Sequence, residues 1–137
     1  PAMNIDIFPT LVKLAGGDLP TDRPIDGKDI LPMLTDGATS PHEVLYLFDR
    51  DRIAGVRSGQ WKLVVESQYR AAVPSFDNPD SYYGPNGLLF DVQRDPSETY
   101  SFTREFPEVV EQMRVLLIEG QKEYGSTVLE SMWNRPD

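Results

Sequence analysis

The strongest constraint on the fold is a series of three strand-like runs in the middle of the chain. They are rich in β-branched and aromatic residues and lie at 44–48, 53–58 and 60–67. The breaks between them are a polar tip and a Ser58-Gly59 turn, too short for a parallel crossover, so adjacent strands should pair antiparallel. In the third run Trp61, Leu63 and Val65 alternate with their neighbours, which predicts one face against a core.

A fourth strand and one long helix complete the predicted layer. The strand is predicted at 88–92, after a long surface excursion at 68–87 that is rich in Pro, Gly and short polar residues. Residues 106–125 carry apolar residues at helical spacing, and Pro107 suits the first helical position. The sequence therefore predicts an α+β fold, in which a four-stranded antiparallel sheet packs against one long C-terminal helix.

The first part of the chain does not obviously belong to that layer. A helix is predicted at 6–15 with Asp6 as its N-cap, followed by a turn-rich loop and a short helical turn at 29–34. The apolar residues of this helix need a partner that the layer does not clearly supply. We therefore expect a linking helix and loop, a sheet-and-helix subdomain and a tail, at residues 1–42, 43–125 and 126–137.

Composition and charge exclude several classes of protein. The formal net charge of −9 argues against nucleic acid and against anionic membrane surfaces as partners. No apolar run approaches the length of a membrane span. There is no cysteine, which excludes disulfides and thiolate sites. The chain begins with Pro1, and we expect it to be a fragment or processed piece, so the compartment stays open.

No catalytic or metal centre can be assembled from the sequence. His42 is the only histidine, whereas a zinc site needs at least two nitrogen or sulfur ligands. A catalytic serine would need a nearby base, and no G-x-S-x-G elbow is present. Acidic clusters at 26–29, 49–52 and 76–80 lack the spacing of a calcium loop. We predict no catalytic residue and no metal ligand in this chain.

The acidic corner after the fourth strand has a structural interpretation. Asp91 ends the strand, and the segment from Asp95 through Pro96 to Glu98 has the residues of a type I turn. Asp95 should accept backbone N–H groups, and Glu98 should lie beside the sheet, where Arg57 or Lys62 could pair with it. We predict that Asp91, Asp95, Pro96 and Glu98 turn the chain towards the last helix.

Four ordered segments carry a resemblance to a known family. They are IDIFPTLVKLAG at 5–16, LPTDRPIDGKDILPML at 19–34, VRSGQWKLV at 56–64 and LFDVQRDPSE at 89–98. Together they resemble the C-terminal part of the sulfatases, specifically the arylsulfatase-like enzymes of the alkaline phosphatase superfamily. The chain departs from the family pattern at Phe90, where Tyr is usual, and at Ser101-Phe102, where Asn-Leu is usual.

The resemblance implies a role beside a reaction centre that lies elsewhere. In sulfatases a large α/β domain holds a formylglycine and usually calcium, and a smaller sheet with one helix follows it. We therefore expect this chain to be inactive alone, to buttress an N-terminal catalytic domain and to border the cleft for a sulfate ester. The residues predicted at the substrate rim are His42, Asp49 and Arg50.

Two alternatives of other classes remain open from the sequence. The chain could be a free-standing interaction module derived from a sulfatase, dimerising through the exposed helix at 6–15. It could also be the equivalent segment of a phosphonate monoester hydrolase or phosphodiesterase, which share the architecture. The reading frame upstream of Pro1 discriminates between the module and the enzyme segment.

Overall fold

The parts of the chain described by the computed structural model are residues 1–49, 52–65 and 87–125. The chain divides into two compact units, Pro1–Glu43 and Val44–Asp137. The predicted rim residue Arg50, nearly all of the predicted excursion at 68–87 and the predicted tail at 126–137 lie outside the described residues.

The N-terminal unit contains two short α-helices. A 3-10 turn at Asn4–Asp6 leads directly into α1 (Ile7–Leu14), and α2 spans Leu31–Thr35. Both helices lie within two residues of their predicted bounds. α1 ends where Gly16 adopts a left-handed conformation with φ of 75°, which glycine reaches without steric cost.

Asp6 occupies the predicted N-cap position of α1, but its side chain does not cap that helix. Its side chain makes no capping hydrogen bond to α1, because the preceding 3-10 turn already holds Asp6 near helical geometry (φ −77°, ψ −17°). A capping residue typically has extended geometry instead. The carboxylate accepts from the N–H groups of Met3 at 2.8 Å and of Lys28 at 2.9 Å. The Met3 bond thus caps the start of the 3-10 turn, and the Lys28 bond joins Asp6 to a segment 22 positions away.

The larger unit is built on a four-stranded antiparallel sheet. Its strands, adjacent in chain order, are β1 (Val44–Asp49), β2 (Arg52–Ser58), β3 (Trp61–Val64) and β4 (Leu88–Asp91). Leu47 pairs with Gly55 and Phe48 with Ile53, so Ala54 is an extra residue on β2. The Ala54 carbonyl accepts from the N–H of Val65 at 2.8 Å, which holds the chain beyond β3 against the sheet.

One long helix, α3 (Pro107–Tyr124), covers one face of the sheet. Residues from both layers form the core, which consists of Ile53, Val56, Leu63, Val65, Leu89, Val110, Met113 and Leu117. Trp61 packs against this core, as the alternation in the third strand predicted. The predicted α+β class, with the sheet, the long helix and a preceding N-terminal helix, is confirmed.

The outer edge of β4 is covered by the chain that leads to α3. The Leu89 carbonyl accepts from the N–H of Phe102 at 2.8 Å, and the Leu89 N–H donates to Oγ1 of Thr103 at 3.0 Å. Thr103 donates in turn to the Gly87 carbonyl at 3.1 Å. These bonds satisfy backbone groups that an open sheet edge would leave available to another strand.

Candidate functional site

The three residues predicted at the substrate rim lie in different settings. His42 belongs to the N-terminal unit and is buried, with 4% of its side chain exposed. Asp49 ends β1, pairs with Arg52 in the hairpin and is partly exposed. Arg50 lies outside the described residues. Their rim role stays a prediction, and for His42 it would require the ring to leave its buried position.

The His42 ring is held by the buried carboxylate of Asp6. Its Nε2 lies 2.7 Å from Oδ1 of Asp6, whose side chain has no exposed surface. The same carboxylate accepts the backbone N–H groups of Met3 and Lys28, and the Lys28 ammonium donates to the Pro41 carbonyl at 2.9 Å. A buried carboxylate is tolerated when it is paired and hydrogen-bonded in this way. Asp6 thus ties together three stretches that are distant in sequence.

A second buried link runs from α1 to the loop that follows it. The Thr10 hydroxyl donates to the Asp6 carbonyl at 2.6 Å and accepts the N–H of Ile30 at 3.1 Å. Both Thr10 and Ile30 are buried. Sequence reasoning assigned no such role to Asp6 or Thr10. The signal that could have found it is a pair of polar residues, four positions apart, beside the apolar residues of one helix.

The Asp6 carboxylate makes stability depend on pH. Burial alone would raise its pKa, but the N–H groups of Lys28 and Met3 and the contact with His42 outweigh burial, so the pKa lies below its usual range. A carboxyl whose pKa is lowered by folding stabilises the protein above its unfolded pKa of about 4, and that contribution is lost as pH falls through the folded pKa.

We expect Asp6→Asn to lower the free energy of unfolding at pH 7 by about 2 kcal/mol, since it removes a buried charged acceptor. The difference between wild type and variant should shrink as the pH falls below about 4, where the unfolded carboxyl becomes protonated. Urea unfolding at a series of pH values, followed through the NMR signals of the single histidine, measures this difference. A difference that is constant with pH would contradict the assignment, and Asp18→Asn, at an exposed ion pair, is the matched control.

The corner after β4 is organised by two carboxylates. Oδ1 of Asp91, which is buried, accepts the N–H groups of Gln93 and Arg94, each at 3.1 Å. Oδ2 of Asp95 accepts the N–H groups of Thr99 at 2.5 Å and Tyr100 at 2.9 Å. The Tyr100 and Thr99 bonds hold the pKa of Asp95 below its usual range. The corner is therefore closed by side-chain acceptors on backbone donors.

The corner is tied to the sheet by an ion pair between Lys62 and Glu98. The Lys62 ammonium contacts both carboxylate oxygens of Glu98, at 2.7 and 2.9 Å. Glu98 adopts φ of 54°, a conformation uncommon for residues other than glycine, and its N–H donates to the Asp95 carbonyl at 3.0 Å. Of the two cations that the sequence left open as partners, the structure thus shows Lys62 bonded to Glu98.

The residues present do not fit the metal ion and the formylglycine that the resemblance implies. The described residues include no group of three or more His, Cys, Asp or Glu side chains that could hold a metal ion. The sequence has neither a cysteine nor a Ser-x-Pro-x-Arg motif from which a formylglycine could be made. Among the described helices none is long and apolar enough to cross a bilayer.

Comparison with known proteins identifies the larger unit. A family model for the C-terminal region of aryl-sulfatase matches residues 40–134. Steryl-sulfatase of Rattus norvegicus is 34% identical over 129 residues, which cover 77% of this chain and 21% of that protein. An arylsulfatase of Hemicentrotus pulcherrimus is 31% identical over 116 residues, which cover 71% of this chain and 21% of that protein.

A solved structure shares the fold. The PsFucS1 sulfatase from Pseudoalteromonas sp. matches with a TM-score of 0.60 and 24% identity, over 89% of this chain and 26% of that one. The chain thus spans about a fifth of the length of the curated relatives it matches. The strands β1 to β4 and helix α3 all lie within the residues that the family model covers. The chain belongs to the sulfatase family, whose C-terminal region it matches.

Proposed function

We propose that this chain is the non-catalytic C-terminal segment of a sulfatase, where it buttresses a catalytic domain and borders the substrate cleft. The match to the C-terminal region of aryl-sulfatase supports this, as does the share of the relatives' length that the chain covers. Formylglycine and calcium would then belong to the catalytic domain, and the substrate would be a sulfate ester. Relatives named steryl-sulfatase and arylsulfatase favour this class over phosphonate or phosphodiester hydrolases.

The observation that carries the proposal is the exposed apolar side of α1. Large hydrophobic side chains on this helix are at least half exposed, namely Ile7 at 57%, Phe8 at 50%, Leu11 at 56% and Leu14 at 63%. Contiguous apolar surface of this kind marks a contact with another protein surface. A catalytic domain that precedes Pro1 in the same polypeptide would cover it, because α1 lies at the junction.

The same surface bears on the alternative of a dimerisation module, in which a second copy of the chain would cover α1. The two proposals differ in what the gene encodes before Pro1. A Cys-x-Pro-x-Arg or Ser-x-Pro-x-Arg motif several hundred residues upstream supports the sulfatase. A start codon immediately before Pro1 contradicts it and favours the module.

The purified 137-residue chain is expected to show no turnover of a chromogenic aryl sulfate, with or without calcium, because the catalytic groups lie outside it. The full-length protein read from the upstream frame is expected to hydrolyse the same ester. Release of the chromophore is followed by absorbance, with a buffer blank and the heat-inactivated full-length protein as controls. Hydrolysis by the 137-residue chain above the blank would overturn the non-catalytic assignment.

A further inference from the structure

Two exposed aromatic rings lie together where α3 ends. Phe48, near the end of β1, is 50% exposed, and Tyr124, the last residue of α3, is 44% exposed. Their ring centroids lie 5.4 Å apart at an interplanar angle of 85°, and the Tyr124 ring also packs with Tyr46, with the centroids 5.7 Å apart. The two rings thus form an accessible apolar surface, the Phe48–Tyr124 patch.

The tail at 126–137, which lies outside the described residues, begins beside this patch. Gly125 ends α3 in a left-handed conformation with φ of 67°, and its N–H donates to the Gln121 carbonyl. Nine extended residues, the separation between Tyr124 and Trp133, span at most about 30 Å. The Phe48 ring lies only 5.4 Å from the Tyr124 ring. The tail is therefore long enough to return to the patch.

The tail also carries side chains that suit an apolar surface. Four of its residues are apolar, namely Val128, Leu129, Met132 and Trp133. Aromatic rings pair favourably in edge-to-face arrangements, and a buried Trp side chain removes about 150–250 Å² from water. The family model continues beyond α3 to residue 134, so it includes Trp133. The tail up to that residue therefore belongs to the region shared with the sulfatases.

We propose that the tail folds back and covers the Phe48–Tyr124 patch, with the Trp133 ring against Phe48. Its attachment to α3 favours the tail over a second copy of the chain or a separate protein, because a linked segment binds at a high effective concentration. Phe48 directly precedes Asp49, where β1 ends, so the docked tail holds this end of the hairpin to the end of α3. The inference does not depend on the proposed function, since the patch and the tail belong to the same chain.

Tryptophan fluorescence tests the contact, because the chain has only two tryptophans. In a Trp61→Phe variant of the 137-residue chain, the emission comes from Trp133 alone. We expect this emission at a shorter wavelength than in urea, with weak quenching by acrylamide. Adding Phe48→Ala should shift the emission towards that of the unfolded chain and strengthen the quenching. Tyr100→Ala is the matched control, because Tyr100 is equally exposed, at 53%, but precedes α3, so the emission of Trp133 should not change.

A second measurement keeps Trp61 in place. Trp133→Ala should lower the unfolding temperature of the larger unit, followed by circular dichroism, by about 3–5 °C. The loss caused by Phe48→Ala should be smaller in the Trp133→Ala background than in the wild type, because the two substitutions remove the same contact. The loss caused by Tyr100→Ala should be the same in both backgrounds.

Three results would overturn the inference. The first is a Trp133 emission that matches the unfolded chain or does not respond to Phe48→Ala. The second is a short-wavelength emission that disappears on dilution, which would assign the patch to a second copy of the chain. The third is additive losses from Phe48→Ala and Trp133→Ala, which would show that the Trp133 ring packs elsewhere.

Discussion

Gly27→Ala is expected to destabilise the N-terminal unit by about 3 kcal/mol or more, the largest effect of any single substitution considered. An added Cβ would lie 2.0 Å from the Ile5 carbonyl oxygen and 3.1 Å from the Asp6 nitrogen. Both obstacles are backbone atoms, so a rotamer change cannot relieve the clash. The close approach at Gly27 also brings the Lys28 N–H to Asp6, so the buried bonds of Asp6 and His42 should be lost with it.

The single histidine makes this prediction measurable. His42 lies in the same unit, so the NMR signals of its imidazole report on that unit without interference from others. Urea unfolding followed through these signals gives the loss of stability. Gly17→Ala is the matched control, because its Cβ would meet only Val12, with the nearest atom a side-chain methyl at 3.3 Å. Similar stability of the two variants would contradict the predicted clash.

Gly120→Ala is expected to destabilise the larger unit by about 2 kcal/mol, although alanine favours a helix over glycine by about 1 kcal/mol. An added Cβ would lie 2.3 Å from Cε1 and 2.7 Å from Cζ of Tyr46. The ring cannot easily move aside, because its hydroxyl donates to the Leu116 carbonyl at 3.1 Å and it packs in a T-shaped arrangement with Tyr124, with the ring centroids 5.7 Å apart. The absence of a side chain at Gly120 therefore lets α3 approach β1 closely.

A double-mutant cycle isolates this contact. In a Tyr46→Ala background the Gly120→Ala substitution should cost little or become stabilising, which corresponds to a coupling of about 1–3 kcal/mol. Lys122→Ala, at an exposed position of the same helix, should change stability by less than about 0.5 kcal/mol. Urea unfolding followed by circular dichroism measures the four proteins of the cycle and the Lys122→Ala control. Equal costs in the two backgrounds would show that Tyr46 is not the obstacle.

Local patterns predicted the secondary structure well. Runs of β-branched, aromatic and other apolar residues located the four strands, and apolar spacing with Pro107 located α3. Short breaks between the first three strands implied antiparallel neighbours, because a parallel connection needs a longer crossover. Family motifs in the same order implied the sulfatase C-terminal region, which the family model confirms over residues 40–134. Each of these signals is carried by residues close together in sequence.

The contacts of particular polar side chains were harder to predict. Asp6 was interpreted as a helix cap, whereas its carboxylate meets His42 from 36 positions away. Arg57 and Lys62 were equivalent candidates for Glu98 until the register placed the ammonium of Lys62 at 2.7 Å. The steric requirement for glycine at position 27 could not be predicted from the sequence either, because it depends on how closely the backbone of Ile5 approaches.

The sequence by itself determined the α+β class, the antiparallel order of the strands, the covering helix and the family. These depend on periodicity, turn chemistry and motif order, which are properties of the amino-acid sequence. Only the tertiary structure decided which acid meets which base and which glycine has no room for a methyl group. Those outcomes depend on distances of a few ångströms between segments far apart in sequence, and residue patterns do not record such distances.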